Sequence, residues 1–166
     1  MGILNNKVYI IGGWEDSPGY LTDSYCYDLG TATTTSIASL PIPTAWGSMS
    51  CQLGNYVYIA GGNNDTGTLN FLQRYDMSTD TWVQLSDMPE ARASSGTPLL
   101  YYNGALWILS GGNQTTCLRY DISGNSWTTV SSNVTPRSNH WAGISTTGKA
   151  MVWGPDNLQT EVCQIP

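Results

Sequence analysis

The residue types that most often carry catalysis are scarce in this chain of 166 residues. A lone histidine in a loop, His140 beside Trp141, is more often a hydrogen-bonded or surface residue than a metal ligand. Glu15, Asp16 and Asp65 could bind a cation, but isolated acidic residues in loops are usually only solvated. No GxSxG motif and no phosphate-binding glycine loop occurs. We therefore predict no catalytic residue, no metal site and no cofactor.

The cysteines do not indicate a metal centre either. No CxxC spacing occurs, which argues against a zinc site. An even number of cysteines allows two disulfides in three connectivities, and free buried thiols explain the same residues equally well. The sequence leaves the redox state open for Cys26, Cys51, Cys117 and Cys163.

Three Asn-X-Thr sequons are candidates for modification by glycans. They begin at Asn64, Asn113 and Asn133. Charged residues make up 11% of the chain, against roughly 25% in an average soluble domain. Covalent sugars could supply the solubility that charges otherwise give. We therefore favour an extracellular location, with the cytoplasm as the alternative.

The charge balance limits the partners. Six basic residues stand against twelve acidic ones, a net charge of -6. This disfavours nucleic acid and an anionic membrane surface as partners. No stretch approaches the roughly 18 to 20 apolar residues of a membrane span. The opening MGILNN also lacks the charged start and apolar core of a signal peptide.

Three features recur in order with a period near fifty residues. The first is an apolar run that ends in two glycines: KVYIIGG, YVYIAGG and ALWILSGG. These doublets are Gly12 and Gly13, Gly61 and Gly62, and Gly111 and Gly112. The second feature is a Tyr-Asp pair, which begins at Tyr27, Tyr75 and Tyr120. The third is a tryptophan seven residues after the tyrosine, at Trp82 and Trp127, where the first copy has Thr34.

This pattern resembles the kelch repeat, whose units are the four-stranded blades of a β-propeller. The resemblance implies an all-β fold of four-stranded antiparallel sheets in an incomplete propeller of about 3.5 blades. Residues 1–166 then form a single domain, within a larger propeller or assembly. The four copies lie near 1–40, 41–88, 89–132 and 133–166.

The strand pattern refines this expectation. Each blade has strands a to d from the axis outward, with the Gly-Gly run as b and the Tyr-Asp run as c. We predict that the chain starts at a strand b near 7–12 and stops at a strand c near 160–165. One inner and one outer strand are then missing, and the exposed sheet edges need a cover.

The predicted turns place the longer loops at one end of the blades. Short a-to-b and c-to-d turns share one end, so the b-to-c and d-to-a loops share the other, which we call the long-loop face. The b-to-c loops are 14–23, 63–70 and 113–115, and the d-to-a loops are 39–46, 86–93 and 131–140. Since loops often carry binding residues, the contact candidates are Trp14, Trp46, Arg92, Arg137, His140 and Trp141. The repeated tyrosines and tryptophans are interpreted as packing residues between blades.

The leading hypothesis is a non-catalytic interaction module or scaffold that binds a protein partner through its long loops. One alternative is an extracellular structural glycoprotein whose incomplete blades pair between copies to form a fibre. A second is a fragment of a kelch-type carbohydrate oxidase, because the resemblance extends to copper oxidases of the galactose-oxidase kind. That alternative would need histidines from outside this chain.

Overall fold

The protein consists of β-strands and the turns that join them. The computed structural model describes residues 1–166 except 18, 94–97, 113, 132–134, 137–139, 155–159 and 166. Within these described ranges there is no helix. Accordingly, no helical segment there is long and apolar enough to cross a membrane.

The described strands form four main antiparallel sheets, which we call blades 1 to 4 in chain order. Blade 1 contains β1 (Gly2–Leu4), β2 (Lys7–Trp14), β3 (Tyr20–Asp28) and β4 (Thr33–Ile37). Blade 2 contains β5 (Met49–Leu53), β6 (Tyr56–Ala60), β9 (Leu72–Asp76) and β10 (Thr81–Gln84), and β7 (Asn63–Asn64) pairs with β8 (Gly67–Thr68) in a separate hairpin. Blade 3 contains β11 (Leu100–Tyr102), β12 (Ala105–Leu109), β13 (Thr116–Asp121) and β14 (Ser126–Ser131). Blade 4 contains β15 (Trp141–Ile144), β16 (Lys149–Trp153) and β17 (Glu161–Gln164). Consecutive strands pair within each blade, which confirms the predicted fold class.

The first blade corrects the prediction that the chain begins at a second strand. Strand β1 pairs with β2, with Gly2 opposite Tyr9. Asn5 and Asn6 form the turn between them and have φ angles of 49° and 60°. Two consecutive positive φ angles are what a tight hairpin turn requires, and asparagine tolerates them well. The Asn-Asn pair was therefore a signal for an inner strand in the first copy.

Two of the predicted b-to-c loops are largely strand. In blade 1, β2 extends to Trp14 and β3 begins at Tyr20, with a register shift between Ile11 and Gly13. In blade 2, the segment after the Gly-Gly doublet forms the β7–β8 hairpin. In both connections, strand pairing thus replaces part of the predicted loop.

Side chains alternate strictly between the two sides of each blade, as the period of a β-strand requires. We call the side toward the next blade in the chain the forward face, and the other side the backward face. Between blades 2 and 3, Tyr58 and Ala60 of the forward face pack with Leu106, Ile108 and Leu118 of the backward face. Equivalent buried clusters join blade 1 to blade 2 and blade 3 to blade 4. The core is therefore a series of interfaces between blades.

The first strands of the blades lie next to one another. The Gln52 side chain in β5 accepts a hydrogen bond from the Ile3 backbone N–H (2.8 Å) and donates one to the Ile3 carbonyl (2.7 Å). Strand β11 contacts both β5 and β15. This arrangement puts the first strands on the inner side of the blade array, as in the predicted order.

Candidate interaction surface

Two tryptophans form an exposed pair on the long-loop face. Trp14 ends β2, and Trp46 lies in the connection from blade 1 to blade 2. Their ring centroids are 5.2 Å apart with an interplanar angle of 45°, and the residues are 42% and 60% exposed. We call them the tryptophan pair. The fold thus brings together two contact candidates that are 32 positions apart in the sequence.

The loop that carries Trp46 is fixed to blade 2. The Trp46 carbonyl accepts hydrogen bonds from the backbone N–H (3.0 Å) and the side-chain Nδ2 (3.2 Å) of Asn63. The Thr44 hydroxyl donates to the Gly61 carbonyl at 2.9 Å. A Cβ on Gly62 would lie 2.3 Å from Thr44 Oγ1, so only glycine leaves room for this contact. Trp46 is therefore held by an anchored loop, and Trp14 by the end of a strand.

Acidic side chains flank the tryptophan pair. Glu15 and Asp16 follow Trp14 directly and are exposed, as is Asp65 at the tip of the β7–β8 hairpin. The two described lysines, Lys7 and Lys149, begin the second strands of their blades, at the opposite end. Among the charged residues that the structure describes, those next to the tryptophan pair in the chain are therefore acidic, and the lysines lie at the other end of the blades.

Arg92 does not belong to the contact surface, which corrects the prediction. It is 0% exposed. Its Nη1 donates to the carbonyls of Ser110 (2.9 Å), Gly111 (3.3 Å) and Thr116 (3.1 Å). Its Nη2 donates to Glu90 Oε1 (2.5 Å) and to Thr116 Oγ1 (2.6 Å). A charge buried this deeply needs such partners, so Arg92 is a structural residue.

The backbone of Arg92 also joins two blades. Its carbonyl accepts a hydrogen bond from Gly62 N–H (2.8 Å), and its N–H donates to the Leu69 carbonyl (3.0 Å), both in the blade 2 segment. Burial raises the pKa of the Glu90 carboxyl, but the hydrogen bonds from Arg92 and Thr116 lower it by more. The pKa of Glu90 therefore lies below its usual value. The Glu90–Arg92 pair is consequently ionised at neutral pH.

Two further contact candidates, His140 and Trp141, do not join the tryptophan pair. His140 is 1% exposed, with its Nε2 2.7 Å from the Leu109 carbonyl, so it too is buried and corrects the prediction. Since a carbonyl can only accept, this nitrogen carries the proton. Trp141 is 54% exposed but lies in β15, opposite Trp153. Arg137 lies outside the described residues.

The sequons are only partly described. The Asn64 amide donates to the Pro43 carbonyl (3.2 Å), while its oxygen accepts from the Thr66 N–H (2.9 Å) and hydroxyl (2.6 Å). The amide nitrogen that would carry a sugar is thus engaged within the protein. Asn113 and Asn133 lie outside the described residues.

The cysteines that the structure describes are free thiols. They are Cys26, Cys51 and Cys117. Burial raises the pKa of the Cys51 thiol. The protonated thiol is the weaker nucleophile and the weaker metal ligand, so nothing here makes Cys51 reactive. In the described ranges, no group of three or more His, Cys, Asp and Glu residues is placed to hold a metal ion.

The repeated Tyr and Trp residues build a joint that holds consecutive blades together. In blade 2, the rings of Tyr75 and Trp82 are 5.0 Å apart, and the Tyr75 hydroxyl donates to Asp80 Oδ1 at 2.6 Å. Across the interface, the Trp82 indole N–H donates to the Ala38 carbonyl (3.0 Å). The Ala38 N–H in turn donates to Asp80 Oδ1 (2.8 Å). Two side chains of blade 2, Trp82 and Asp80, thus hold the residue that follows β4 of blade 1, and Tyr75 positions Asp80.

Blade 3 repeats this joint with asparagine in place of aspartate. Tyr120 donates to Asn125 Oδ1 (2.8 Å), which also accepts the Ser86 N–H (2.9 Å), and Trp127 donates to the Ser86 carbonyl (2.7 Å). Asp80 and Asn125 both have positive φ angles, 55° and 47°. Sequence reasoning missed these two residues. The signal was a short polar side chain five positions after the repeat tyrosine in both copies.

Blade 1 lacks the polar and aromatic parts of this joint. Five and seven residues after Tyr27 it has Ala32 and Thr34, although Ala32 keeps the positive φ angle (54°). Each of the two complete joints, in blades 2 and 3, holds the blade before it.

The joint predicts how stability responds to alkaline pH. Burial raises the pKa of the Tyr120 phenol to about 12, and an unfolded tyrosine has a pKa of about 10. Because folding raises the pKa, the protonated Tyr120 phenol contributes fully to stability below pH 10. This contribution is lost as the pH rises from 10 to 12. Burial and the nearby Asp80 raise the pKa of Tyr75 in the same direction.

We therefore expect the free energy of unfolding, measured in urea, to fall steadily across that pH range. Tyr120→Phe should show a shallower fall, because phenylalanine has no proton to lose. Tyr101→Phe is the control, since Tyr101 is 46% exposed. Equal slopes for the wild type and Tyr120→Phe would contradict the prediction.

Four antiparallel sheets, packed face to face in chain order through buried clusters and repeated aromatic joints, define a β-propeller repeat protein. The model of the KLHDC2/KLHL20/DRC7 Kelch-repeats domain matches residues 1–154. The chain therefore belongs to the kelch-repeat family, which confirms the resemblance seen in the sequence.

Individual relatives agree with this assignment. Kelch-like protein terF of Aspergillus terreus is 32% identical over 117 residues, covering 67% of this chain and 25% of its own length. A Kelch repeat-containing protein of Dictyostelium discoideum is 28% identical, covering 76% of this chain and 20% of its own length. Human Kelch-like protein 21 is 25% identical, covering 64% and 18% respectively. The chain thus spans a quarter or less of the length of these relatives.

Kelch-repeat proteins are generally protein-interaction modules, and this chain has the repeats that define them. Nothing in the family match or in the relatives supports secretion, glycosylation, a fibre or a carbohydrate oxidase. Of the predicted contact residues, the tryptophan pair alone combines exposure with mutual contact among those that the structure describes.

Proposed function

We propose that this chain is a non-catalytic kelch-repeat scaffold that binds a protein partner through its long-loop face, with the tryptophan pair at the centre of the contact. One observation supports the proposal: two large aromatic rings stay exposed and in contact, one at the end of a strand and the other on a loop that hydrogen bonds anchor to blade 2. Tryptophan is enriched among the residues that dominate binding energy, and a fixed ring loses little entropy on binding.

The surroundings of the pair favour a partner segment that presents basic side chains. Glu15, Asp16 and Asp65 make the rim of the surface acidic, and the whole chain carries a net charge of -6. An arginine or lysine above a tryptophan ring gains a cation–π interaction, and the acidic rim would attract the same charge. We therefore propose that the partner binds the tryptophan pair through a basic peptide segment.

Synthetic Gly-Ser peptides of one length, each carrying two Arg, two Asp or two Phe residues, test this proposal. We expect the Arg peptide to quench tryptophan fluorescence and to bind most tightly in calorimetry. Trp14→Ala or Trp46→Ala should each weaken that binding about thirtyfold, the equivalent of about 2 kcal/mol for a central interface residue. The affinity should also fall as salt rises, because the attraction is partly electrostatic.

Trp141→Ala is the matched control, since Trp141 is equally exposed but belongs to blade 4. Its affinity for the Arg peptide should equal that of the wild type. If the Phe peptide binds and the Arg peptide does not, the site exists but its partner is apolar. If no peptide binds, or if Trp141→Ala weakens binding as much as Trp14→Ala, the proposed site is wrong.

Glycans on Asn64, Asn113 and Asn133 and an extracellular location stay predictions. They rest on the sequons and on the low charge content of the chain. Peptide mass mapping of protein from its natural source tests both. Unmodified asparagine at all three positions would remove the support for a glycoprotein.

A further inference from the structure

A third aromatic side chain stands beside the tryptophan pair. The strand register places Tyr20, the first residue of β3, directly opposite Trp14 at the end of β2. Opposite residues of an antiparallel pair carry their side chains on the same side of the sheet, with Cβ atoms roughly 4.5 to 5.5 Å apart. The Glu15 N–H donates to the Gly19 carbonyl (3.0 Å) just beyond this pair. We call the three aromatic residues, Trp14, Tyr20 and Trp46, the aromatic cluster.

The two indole rings of the cluster are tilted against each other. Their planes are 45° apart, so the rings are not stacked, and both residues keep much of their surface exposed. The face of an aromatic ring carries negative charge density and attracts a cation within about 6 Å of the ring centroid. Since the two centroids are 5.2 Å apart, a single cation can lie within that distance of both rings.

The amide side chains beside the Trp46 loop are already used within the protein. Asn63 donates from its Nδ2 to the Trp46 carbonyl (3.2 Å) and accepts at its Oδ1 from the Thr68 hydroxyl (2.9 Å). Asn64 likewise donates to the Pro43 carbonyl (3.2 Å) and accepts at its own oxygen. Because these amides hold the loop in place, the recognition of a ligand at the cluster depends on the aromatic faces.

Hydrogen bonding decides which cation suits such a surface best. The ammonium of lysine has three N–H donors and the guanidinium of arginine has five, and the lysine ammonium is strongly hydrated. Aromatic faces replace few of the hydrogen bonds that these donors make with water. A trimethylated ammonium keeps the positive charge but has no N–H group, so it loses less when it leaves water. Groups of aromatic rings accordingly recognise quaternary ammonium ligands in proteins.

We propose that the aromatic cluster recognises a trimethylated lysine in the basic segment of the partner. This inference rests on the proposed function, because it names the side chain that the segment places at the tryptophan pair. Glu15 and Asp16 follow Trp14 in the chain and are exposed, so their charges favour a cation over a neutral group of the same shape without touching it. Methylation of the partner's lysine would then strengthen the contact.

Calorimetry with further Gly-Ser peptides of one length tests this inference. Each peptide carries two copies of one residue: trimethyllysine, lysine, arginine, or a neutral analogue of trimethyllysine in which carbon replaces the charged nitrogen. We expect the trimethyllysine peptide to bind roughly tenfold more tightly than each of the other three. The lysine and arginine peptides measure the effect of the N–H donors. The neutral analogue has the shape of trimethyllysine without its charge, so it measures the effect of the charge.

Leucine substitutions locate the contact, because leucine is apolar but has no ring face. In Trp46→Leu and in Tyr20→Leu, the preference for trimethyllysine over its neutral analogue should fall by roughly two- to fivefold, the effect of one ring face. Tyr101→Leu is the matched control, since Tyr101 is 46% exposed but lies in β11 of blade 3. Its preference should equal that of the wild type. Far-ultraviolet circular dichroism checks that every variant keeps its β-structure.

Several outcomes overturn the inference and leave the proposed function intact. If the lysine or arginine peptide binds as tightly as the trimethyllysine peptide, the partner segment is basic but its methylation is not recognised. If the neutral analogue binds equally well, the contact is apolar and no cation is recognised. An equal fall in preference for Tyr101→Leu and Trp46→Leu would show that the aromatic cluster is not the site. If none of the four peptides binds, the proposed function fails as well.

Discussion

Gly61→Ala should destabilise the protein far more than its small change in volume suggests. Gly61 has a φ angle of +56°, and a Cβ at this position would lie 2.2 Å from the carbonyl oxygen of Arg92. A side chain in the left-handed region costs roughly 1 to 2 kcal/mol, and a forced displacement in a packed interior adds roughly 1 to 3 kcal/mol. We expect a total loss of roughly 2 to 5 kcal/mol in the free energy of unfolding.

Gly54→Ala provides a matched control for the backbone term. Gly54 has nearly the same φ angle, +58°, but no atom lies within 4 Å of an added Cβ. This variant should lose only the conformational cost, roughly 1 to 2 kcal/mol. Urea unfolding of both variants measures the difference. Equal losses would mean that the contact with Arg92 relaxes freely and that the doublet is required for its backbone angles alone.

Arg92→Leu is expected to be the most damaging side-chain substitution. Leucine would fill part of the space but would remove the guanidinium that donates to the carbonyls of Ser110, Gly111 and Thr116 and to the carboxylate of Glu90. Breaking a buried charged pair by removing one partner typically costs about 3 to 5 kcal/mol. Since domains are stable by roughly 5 to 15 kcal/mol, the variant should be close to unfolding at room temperature.

Arg119→Leu is the control for this substitution. Its side chain is 33% exposed and its Nη1 lies 4.0 Å from Asp121 Oδ2, in a partly exposed ion pair. Such pairs contribute at most about 1 kcal/mol. The urea midpoint of Arg119→Leu should therefore stay close to that of the wild type. If Arg119→Leu lost as much free energy of unfolding as Arg92→Leu, the burial of Arg92 would not explain the effect of its substitution.

Acidic pH tests the same network in the unmodified protein. The folded state lowers the pKa of Glu90 from its usual value near 4.5. A carboxyl whose pKa is lowered by folding stabilises the fold at pH values above its pKa in the unfolded chain. This stabilisation is lost as the pH falls through the pKa of the folded state. Glu90→Gln should therefore show a weaker decline in stability below pH 4.5 than the wild type does.

The repeat period was enough to predict the sheets. The Gly-Gly and Tyr-Asp motifs predicted the second and third strands of blades 1 to 3, because apolar residues between glycine and aspartate turns favour strands. The aspartates of these motifs, Asp76 and Asp121, are turn residues, since both carboxylates accept hydrogen bonds from backbone N–H groups just after them. Each of these features is local, and local patterns are what a sequence displays.

The candidate site was less predictable. The long-loop face correctly included Trp14 and Trp46, yet their contact depends on the packing of blade 1 against blade 2. Arg92 and His140 carry polar side chains in connecting segments, which usually indicates exposure. The structure buries both because each finds backbone carbonyls in blade 3, Arg92 at Ser110 and His140 at Leu109. No local pattern distinguishes such a residue from a surface one.

By itself, the sequence determined that this chain builds consecutive antiparallel blades, since strand alternation and turn residues are set by neighbours a few positions apart. Only the tertiary structure decided which faces stay open and which polar residues turn inward. Burial depends on what another blade, far away in sequence, places against a side chain. For that reason Ile10 and Ile59 have equivalent places in their strands and opposite environments in the fold.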